Sequence, residues 1–152
     1  MKRLFDFLFA AAVLVFGAPL FLIAALGIKL SSPGPVFYRA RRIGVGGGEF
    51  AMLKFRSMHV TTGGPVITSR GDARIFAFGN FLRQSKIDEL PQFINVLRGD
   101  MAIVGPRPED PKIVDEHYND WMRETLAVRP GITSPGAVFY YAWGEGLVDP
   151  AD

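Results

Sequence analysis

Two adjacent carboxylates, Asp88 and Glu89, stand in the stretch SKIDELPQFINVLRGD, residues 85–100. Behind them Leu90, Phe93, Ile94 and Leu97 recur at i, i+3, i+4 and i+7, which predicts a short amphipathic helix. Asp88 is its expected N-cap, Pro91 falls in its first turn and Gly99 stops it, which makes the RGD of residues 98–100 a helix end. Neighbouring helical residues point about 100° apart, so the pair does not suit the opposed carboxylates of glycoside hydrolysis. A division of labour fits better. Free N–H groups at a helix start favour an anion such as phosphate beside Asp88, and Glu89 could hold a magnesium ion that offsets the repulsion. An aspartate can also be a covalent nucleophile. Taken by themselves, the two residues are explained more simply as a helix cap and a complement to the helix dipole.

The cations are unevenly spread. Arg39, Arg41, Arg42, Lys54 and Arg56 crowd VFYRARRIG and FAMLKFRSM, whose alternation and aromatic content predict two strands joined by a VGGGE loop. On such a ribbon Arg39 and Arg41 share one face, as do Lys54 and Arg56, forming a patch that attracts phosphate or acidic lipid headgroups. Arg107, held between two prolines in GPRP, projects from a rigid loop and could grip phosphate bidentately. The chain has no cysteine, which excludes a disulfide framework, a thiolate nucleophile and a cysteine zinc site. Its only two histidines, His59 and His117, have no spaced partners and read as structural or solvent-facing.

The elements that must position these groups begin in a membrane. From Phe7 to Ile28 there is no charged residue, a run that as a helix would just cover a hydrocarbon core of ~30 Å. Gly17 and Pro19 lie at its midpoint, and both flanks are basic, with Lys2 and Arg3 before it and Lys29 after it. A single crossing cannot keep both flanks on the positive side; a helix that breaks near Pro19 and returns does. Asp6 is expected to pair with Lys2 or Arg3 at the interface. With 152 residues, 49% of them hydrophobic, the chain suits one functional domain: residues 1–30 as a re-entrant membrane helix and 31–152 as a catalytic region. Residues 61–71 read as a polar loop, Arg74 to Gln84 as a helix capped by Asp72, and 111–127 as a helical stretch containing Trp121 and Met122. VGPRPEDP is too rich in proline for a helix or central strand, and the segment from Arg129 reads as an irregular aromatic tail.

Taken together, KRLFD, SPGPVFYRARRIG, LKFRSM, DARIFAFGNFLRQSKIDELPQFINVLRGDMAIVGPRPE and VRPGIT make the chain resemble the monotopic phosphoglycosyl transferases, a bacterial sugar transferase family. The resemblance implies an α-rich α+β fold with an N-terminal re-entrant helix-break-helix kinked at Pro19, a small β-hairpin and short interfacial helices in one compact domain. It implies a protein seated in one leaflet of the bacterial inner membrane, at the cytoplasmic face. It also implies transfer of a phosphosugar from a UDP-sugar to a polyprenol phosphate such as undecaprenyl phosphate. By similarity Asp88 is the nucleophile that expels UMP and carries the phosphosugar, Glu89 binds magnesium, and Lys54, Arg56, Arg74, Arg107 and Arg129 are donor contacts. Two stretches depart from the family pattern: Ala18 stands where serine commonly precedes the kink proline, and SPGAVFYYAWGEG replaces the common continuation after PGIT.

The alternative from another class is a non-catalytic monotopic adaptor whose basic ribbon binds anionic lipid or a partner enzyme of glycan assembly. Nucleic acid is not an expected partner, because the basic patch adjoins the membrane hairpin. Oligomeric state and the sugar are not legible in the sequence.

Overall fold

The structure is a computed structural model, which describes residues 1–60 and 72–134. The expected polar loop at 61–71 and the tail from 135 onward lie outside the described residues. Two helices open the chain, α1 (Lys2–Phe16) and α2 (Ala18–Ser31), bent by 60° at Gly17. Neither is long and apolar enough to cross a membrane alone, while the bent pair passes that test together. Pro19 sits in the first turn of α2, where its missing N–H costs nothing, so the break falls at Gly17, just ahead of the proline. Gly17 still donates to Val13 O at 2.8 Å and its carbonyl accepts from Phe21 at 3.0 Å, so the bend keeps its backbone paired.

Each helix buries only a narrow seam, Asp6 and Ala10 in α1 and Ala24 and Ile28 in α2, and leaves many apolar side chains exposed. Ala10 of α1 packs with Ala40, Met52, Val96 and Met101; Ala24 and Ile28 of α2 pack with Phe55, Phe76 and Leu82. At Gly27 a Cβ would run into the ring of Phe78, so glycine sets the approach of α2 to α3 (Ala77–Gln84). Phe5, Leu8, Val15, Phe16, Leu22, Ile23, Leu26 and Leu30 face outward. An outer surface this apolar is the kind that marks a membrane or protein contact.

The expected pairing of Asp6 does not form. Lys2 Nζ donates to Val104 O at 3.0 Å, and Arg3 donates to Val96 O at 2.7 Å and Leu97 O at 3.3 Å. Those last carbonyls belong to the C-terminal turn of α4 (Gln92–Arg98), which lacks intrahelical donors and carries the negative end of the dipole. Arg3 therefore ties α1 to α4 and Lys2 ties it to Val104 beyond that helix, and Asp6 is buried without them.

β1 (Phe37–Ile43) and β2 (Glu49–Phe55) form the expected antiparallel hairpin, with Tyr38 opposite Lys54, Ala40 opposite Met52 and Arg42 opposite Phe50. α4 is fastened to β2 by Asn95, fully buried, whose Oδ1 accepts from Leu53 N at 2.9 Å while Nδ2 donates to Ala51 O at 2.8 Å and Asp100 Oδ2 at 3.0 Å. Gly99 ends α4 in the left-handed conformation, φ 95°, as its position predicts.

Three expectations need correction. The helix expected from Arg74 begins at Ala77, because Ile75 N closes a turn on Asp72 O, His59 N donates to Arg74 O and Ile75 bridges Met58, which commits this stretch before the helix can start. The stretch 111–127 is not one helix: α5 (Pro111–His117) ends at an extended Tyr118, and Asn119 caps α6 (Asp120–Arg123) by accepting from Met122 N at 2.9 Å. Two three-residue strands escape the periodicity, β3 (Ala102–Val104) and β4 (Gly131–Thr133), paired in parallel across the whole intervening segment.

Candidate active site

The residues from Ser85 to Pro91 fold differently from a capped helix. Ser85 closes α3, and Lys86 then takes a left-handed backbone, φ 59°, the only positive φ outside glycine among the described residues. Ile87–Glu89 form a 3₁₀ turn, and α4 begins only after Pro91. Asp88 is therefore not the N-cap of α4. Nor is the helix start a cradle of free donors: the N–H groups of Glu89, Leu90, Phe93 and Ile94 already donate to Lys86, Ile87, Leu90 and Pro91 carbonyls. Left-handed backbone costs a non-glycine residue about 1–2 kcal/mol, and such strain clusters at functional sites.

This turn sets the two carboxylates in different surroundings. Asp88 is 7% exposed, and its carboxylate accepts no hydrogen bond among the described residues. Burial pushes its carboxyl up from the usual value; Lys54 opposes that, Glu89 adds to it, and Arg83 and Lys86 pull the other way. Glu89 faces an open cleft, with Lys54 Nζ 3.3 Å from Oε1 and Gln92 Nε2 donating to Oε2 at 3.3 Å. Asp88 lies beside that cleft, one residue back from its lining.

The cleft is shallow and open to solvent on one side. The even-numbered face of the hairpin supplies Arg42, Met52 and Lys54, and the far wall is Arg107, Pro108 and β4. Backbone bonds hold that wall close: Gly105 N donates to Thr133 O at 3.0 Å and Gly131 N to Pro106 O at 2.8 Å. Gly105 and Gly131 approach so closely that a Cβ on Gly131 would collide with the Gly105 backbone.

Of the expected donor contacts, the structure brings Lys54 and Arg107 into the cleft, together with Glu89, the expected magnesium ligand. Arg107 is exposed, with Nε 3.8 Å from Glu109. Arg56 goes elsewhere. It is 4% exposed and donates to Ser32 Oγ at 3.2 Å, Ser32 O at 2.6 Å and Pro33 O at 2.7 Å, over the ring of Phe76. It lies past the end of β2 and clamps the chain where α2 ends, so it does not share the cleft with Lys54. His59 joins that clamp, with Nδ1 3.0 Å from Ser32 Oγ. Arg74 pairs with Asp72 at 2.6 Å, and its side chain and N–H hold the Asp72 carboxyl down at about 2. Arg129 Nε donates to Gly99 O at 2.9 Å, next to the strand that walls the cleft.

The sequence reading missed Arg42 and Gln92 as cleft residues, and Arg83, whose charge reaches Asp88. The hairpin register would have found Arg42, because it alone says which cation of β1 shares a face with Lys54. For magnesium, the described residues hold no group of three or more acidic or histidine side chains. The ion commonly takes one or two carboxylates and completes its shell with phosphate oxygens and water, and Glu89, in the cleft and partly exposed, fits that donor set.

Residues 1–145 match the family model described as bacterial sugar transferase. The chain is 47% identical over 137 residues to the UDP-glucose:undecaprenyl-phosphate glucose-1-phosphate transferase of Caulobacter vibrioides, covering 87% of this chain and 51% of that protein. It is 50% identical over 139 residues to a transferase of the same description from Xanthomonas campestris, covering 87% of this chain and 28% of that one. It is 42% identical over 138 residues to the UDP-N-acetylgalactosamine-undecaprenyl-phosphate N-acetylgalactosaminephosphotransferase of Aeromonas hydrophila, covering 88% of this chain and 32% of that one. The chain thus spans about half the length, or less, of these relatives.

Proposed function

The chain belongs to the bacterial sugar transferase family, and we propose that its cleft transfers a phosphosugar from a UDP-sugar to undecaprenyl phosphate, releasing UMP. The observation that carries this reading is the split environment of the dyad: a buried Asp88 carboxylate that accepts no hydrogen bond from the described residues, behind a cleft where Glu89 and Lys54 meet. The names of the relatives support the donor and acceptor classes, and because they name two different sugars they leave the sugar open.

In the proposed reaction the donor's diphosphate enters the cleft against Lys54 and Arg107. An Asp88 carboxylate oxygen attacks the sugar-proximal phosphorus; the new O–P bond forms as the bond to UMP breaks, and UMP leaves with the electron pair. An oxygen of the polyprenol phosphate then attacks the same phosphorus and returns Asp88 to a free carboxylate. With no hydrogen bond from the described residues, the Asp88 oxygens keep their lone pairs unclaimed by these neighbours, and Lys54 beside them favours the ionised form. Glu89 would hold magnesium, which when bound neutralises charge on the phosphates. Phosphate oxygens compete with Glu89 for Lys54, which leaves the Glu89 carboxylate free for that role. Catalysis here is positioning and charge neutralisation.

The acceptor is a lipid, so the cleft must lie near a bilayer. The exposed apolar surface of α1 and α2 supports a monotopic placement in one leaflet of the inner membrane, with the cleft at its cytoplasmic face. The test is UMP release by detergent-solubilised protein given a panel of UDP-sugars, magnesium and undecaprenyl phosphate. Release with one donor, together with a phosphosugar mass on the Asp88 peptide when acceptor is withheld, is the expected result. Absence of release with every donor sinks the reading and favours the adaptor.

A further inference from the structure

Arg42 of β1 lines the cleft on the same hairpin face as Lys54, with its side chain 25% exposed. Its Nη1 is committed twice, donating to Asp110 Oδ2 at 3.0 Å and to Arg41 O at 3.0 Å. Nε and Nη2 have no partner among the described residues. Those two nitrogens form the edge of a guanidinium that meets two oxygens at once. The neighbouring Arg41 uses this very edge on Glu49, with Nε 2.9 Å and Nη2 2.8 Å from its oxygens.

The tether is itself braced. Asp110 spends its other oxygen on Lys112 N at 3.1 Å, capping α5, and Ile43 N donates to Glu109 O at 3.0 Å, so β1 and the loop carrying Arg107 are fastened side by side. Asp110 therefore holds one end of the guanidinium still and leaves the bidentate edge open. A partly exposed ion pair of this kind would add only modest stability by itself. The cleft lining holds three cations, Arg42, Lys54 and Arg107, against one carboxylate, Glu89, which is already paired with Lys54. Asp110 and Glu109 stand beside Arg42 and Arg107 in turn, so the open edge of Arg42, rather than an excess of charge, is what suits the paired oxygens of a phosphate ligand.

We propose that Arg42 is a further donor-binding residue, gripping the diphosphate of the nucleoside diphosphate sugar through its Nε–Nη2 edge, with Asp110 as its positioning residue. This rests on the donor reading above, and the test separates the two. Full-length protein in detergent is titrated calorimetrically with UDP, with inorganic pyrophosphate and with uridine, using wild type, Arg42→Gln, Arg42→Lys and Asp110→Asn, alongside a thermal melt of each. Losing a bidentate charged contact should weaken UDP and pyrophosphate by about tenfold or more in Arg42→Gln and leave uridine unchanged. Arg42→Lys keeps the charge without the fork and should recover only part of that affinity. Asp110→Asn should weaken both phosphate ligands by a smaller factor. Wild-type phosphate affinity in Arg42→Lys and Asp110→Asn, with lowered melting as the only change in Arg42→Gln, makes Arg42 a strut and overturns the proposal. Equal loss of uridine and UDP in Arg42→Gln also overturns it, because the wall would then have moved. If wild type binds pyrophosphate but not UDP and Arg42→Gln loses it, Arg42 keeps its role and the donor reading falls; if wild type binds neither, both fall.

Discussion

Lys54 Nζ lies 3.3 Å from Glu89 Oε1, joining the last part of β2 to the turn ahead of α4. Both side chains are only partly buried, and an isolated pair of this kind contributes ~0–1 kcal/mol. Its consequence is electrostatic: it fixes a positive charge beside Asp88, whose carboxyl burial drives upward and Lys54 draws back down.

That arrangement predicts a pH profile. Attack needs the Asp88 carboxylate, so kcat/KM should rise with pH along an acid limb whose midpoint lies above the ordinary 3.8. Lys54→Met removes the charge that favours the anion. The limb should then move to higher pH, with kcat/KM down by about 10² or more at neutral pH. A limb that stays in place in Lys54→Met would disconnect the lysine from Asp88.

Asp88→Asn should abolish UMP release and leave the fold intact. A carboxyl raised by burial binds its proton more tightly in the folded state. It therefore contributes stability that is full below 3.8 and lost as pH rises through the raised value. The neutral amide escapes that loss, so the variant should melt at the wild-type temperature or above it near pH 7. Retained turnover in this variant is the result that ends the covalent mechanism.

Asn95→Ala should be among the most damaging single changes. It orphans the buried Leu53 N–H and Ala51 carbonyl and deprives Asp100 of its donor. A loss of about 2–4 kcal/mol is expected from unsatisfied backbone groups and the cavity. Denaturant unfolding measures it, and a loss under about 1 kcal/mol would mean that α4 is held to β2 by apolar packing alone.

Arg56→Met separates two roles for a residue whose motif position implies a donor contact. The clamp on Ser32 and Pro33 predicts a loss of stability of about 2–4 kcal/mol, with donor KM little changed in the folded fraction. A raised KM at unchanged melting temperature would return Arg56 to the donor site.

The absence of cysteine makes topology simple to read. Single cysteines in place of Lys2 and of the exposed Lys112 should both react with an impermeant maleimide from the cytoplasmic side of oriented vesicles. Labelling of the two from opposite sides would rule out the re-entrant arrangement.

Some features were legible because they depend on neighbours within one turn. The break between α1 and α2 follows from Gly17 and Pro19, the end of α4 from Gly99, and the hairpin from alternation on either side of VGGGE. The same local motifs, quoted in order, identified the family. Tertiary structure decided the rest. Which cation faces Lys54 depends on hairpin register, which a one-residue slip would invert. β3 and β4 are three residues each and exist only because distant segments pair. Arg56 left the ribbon face for the end of α2, Lys2 and Arg3 left Asp6 for carbonyls of α4 and β3, and Asp88 became a buried residue of a 3₁₀ turn. Helical period, breaks and caps are fixed by residues three or four apart. Partners for a charge are chosen among carbonyls and carboxylates that only the folded chain brings within reach.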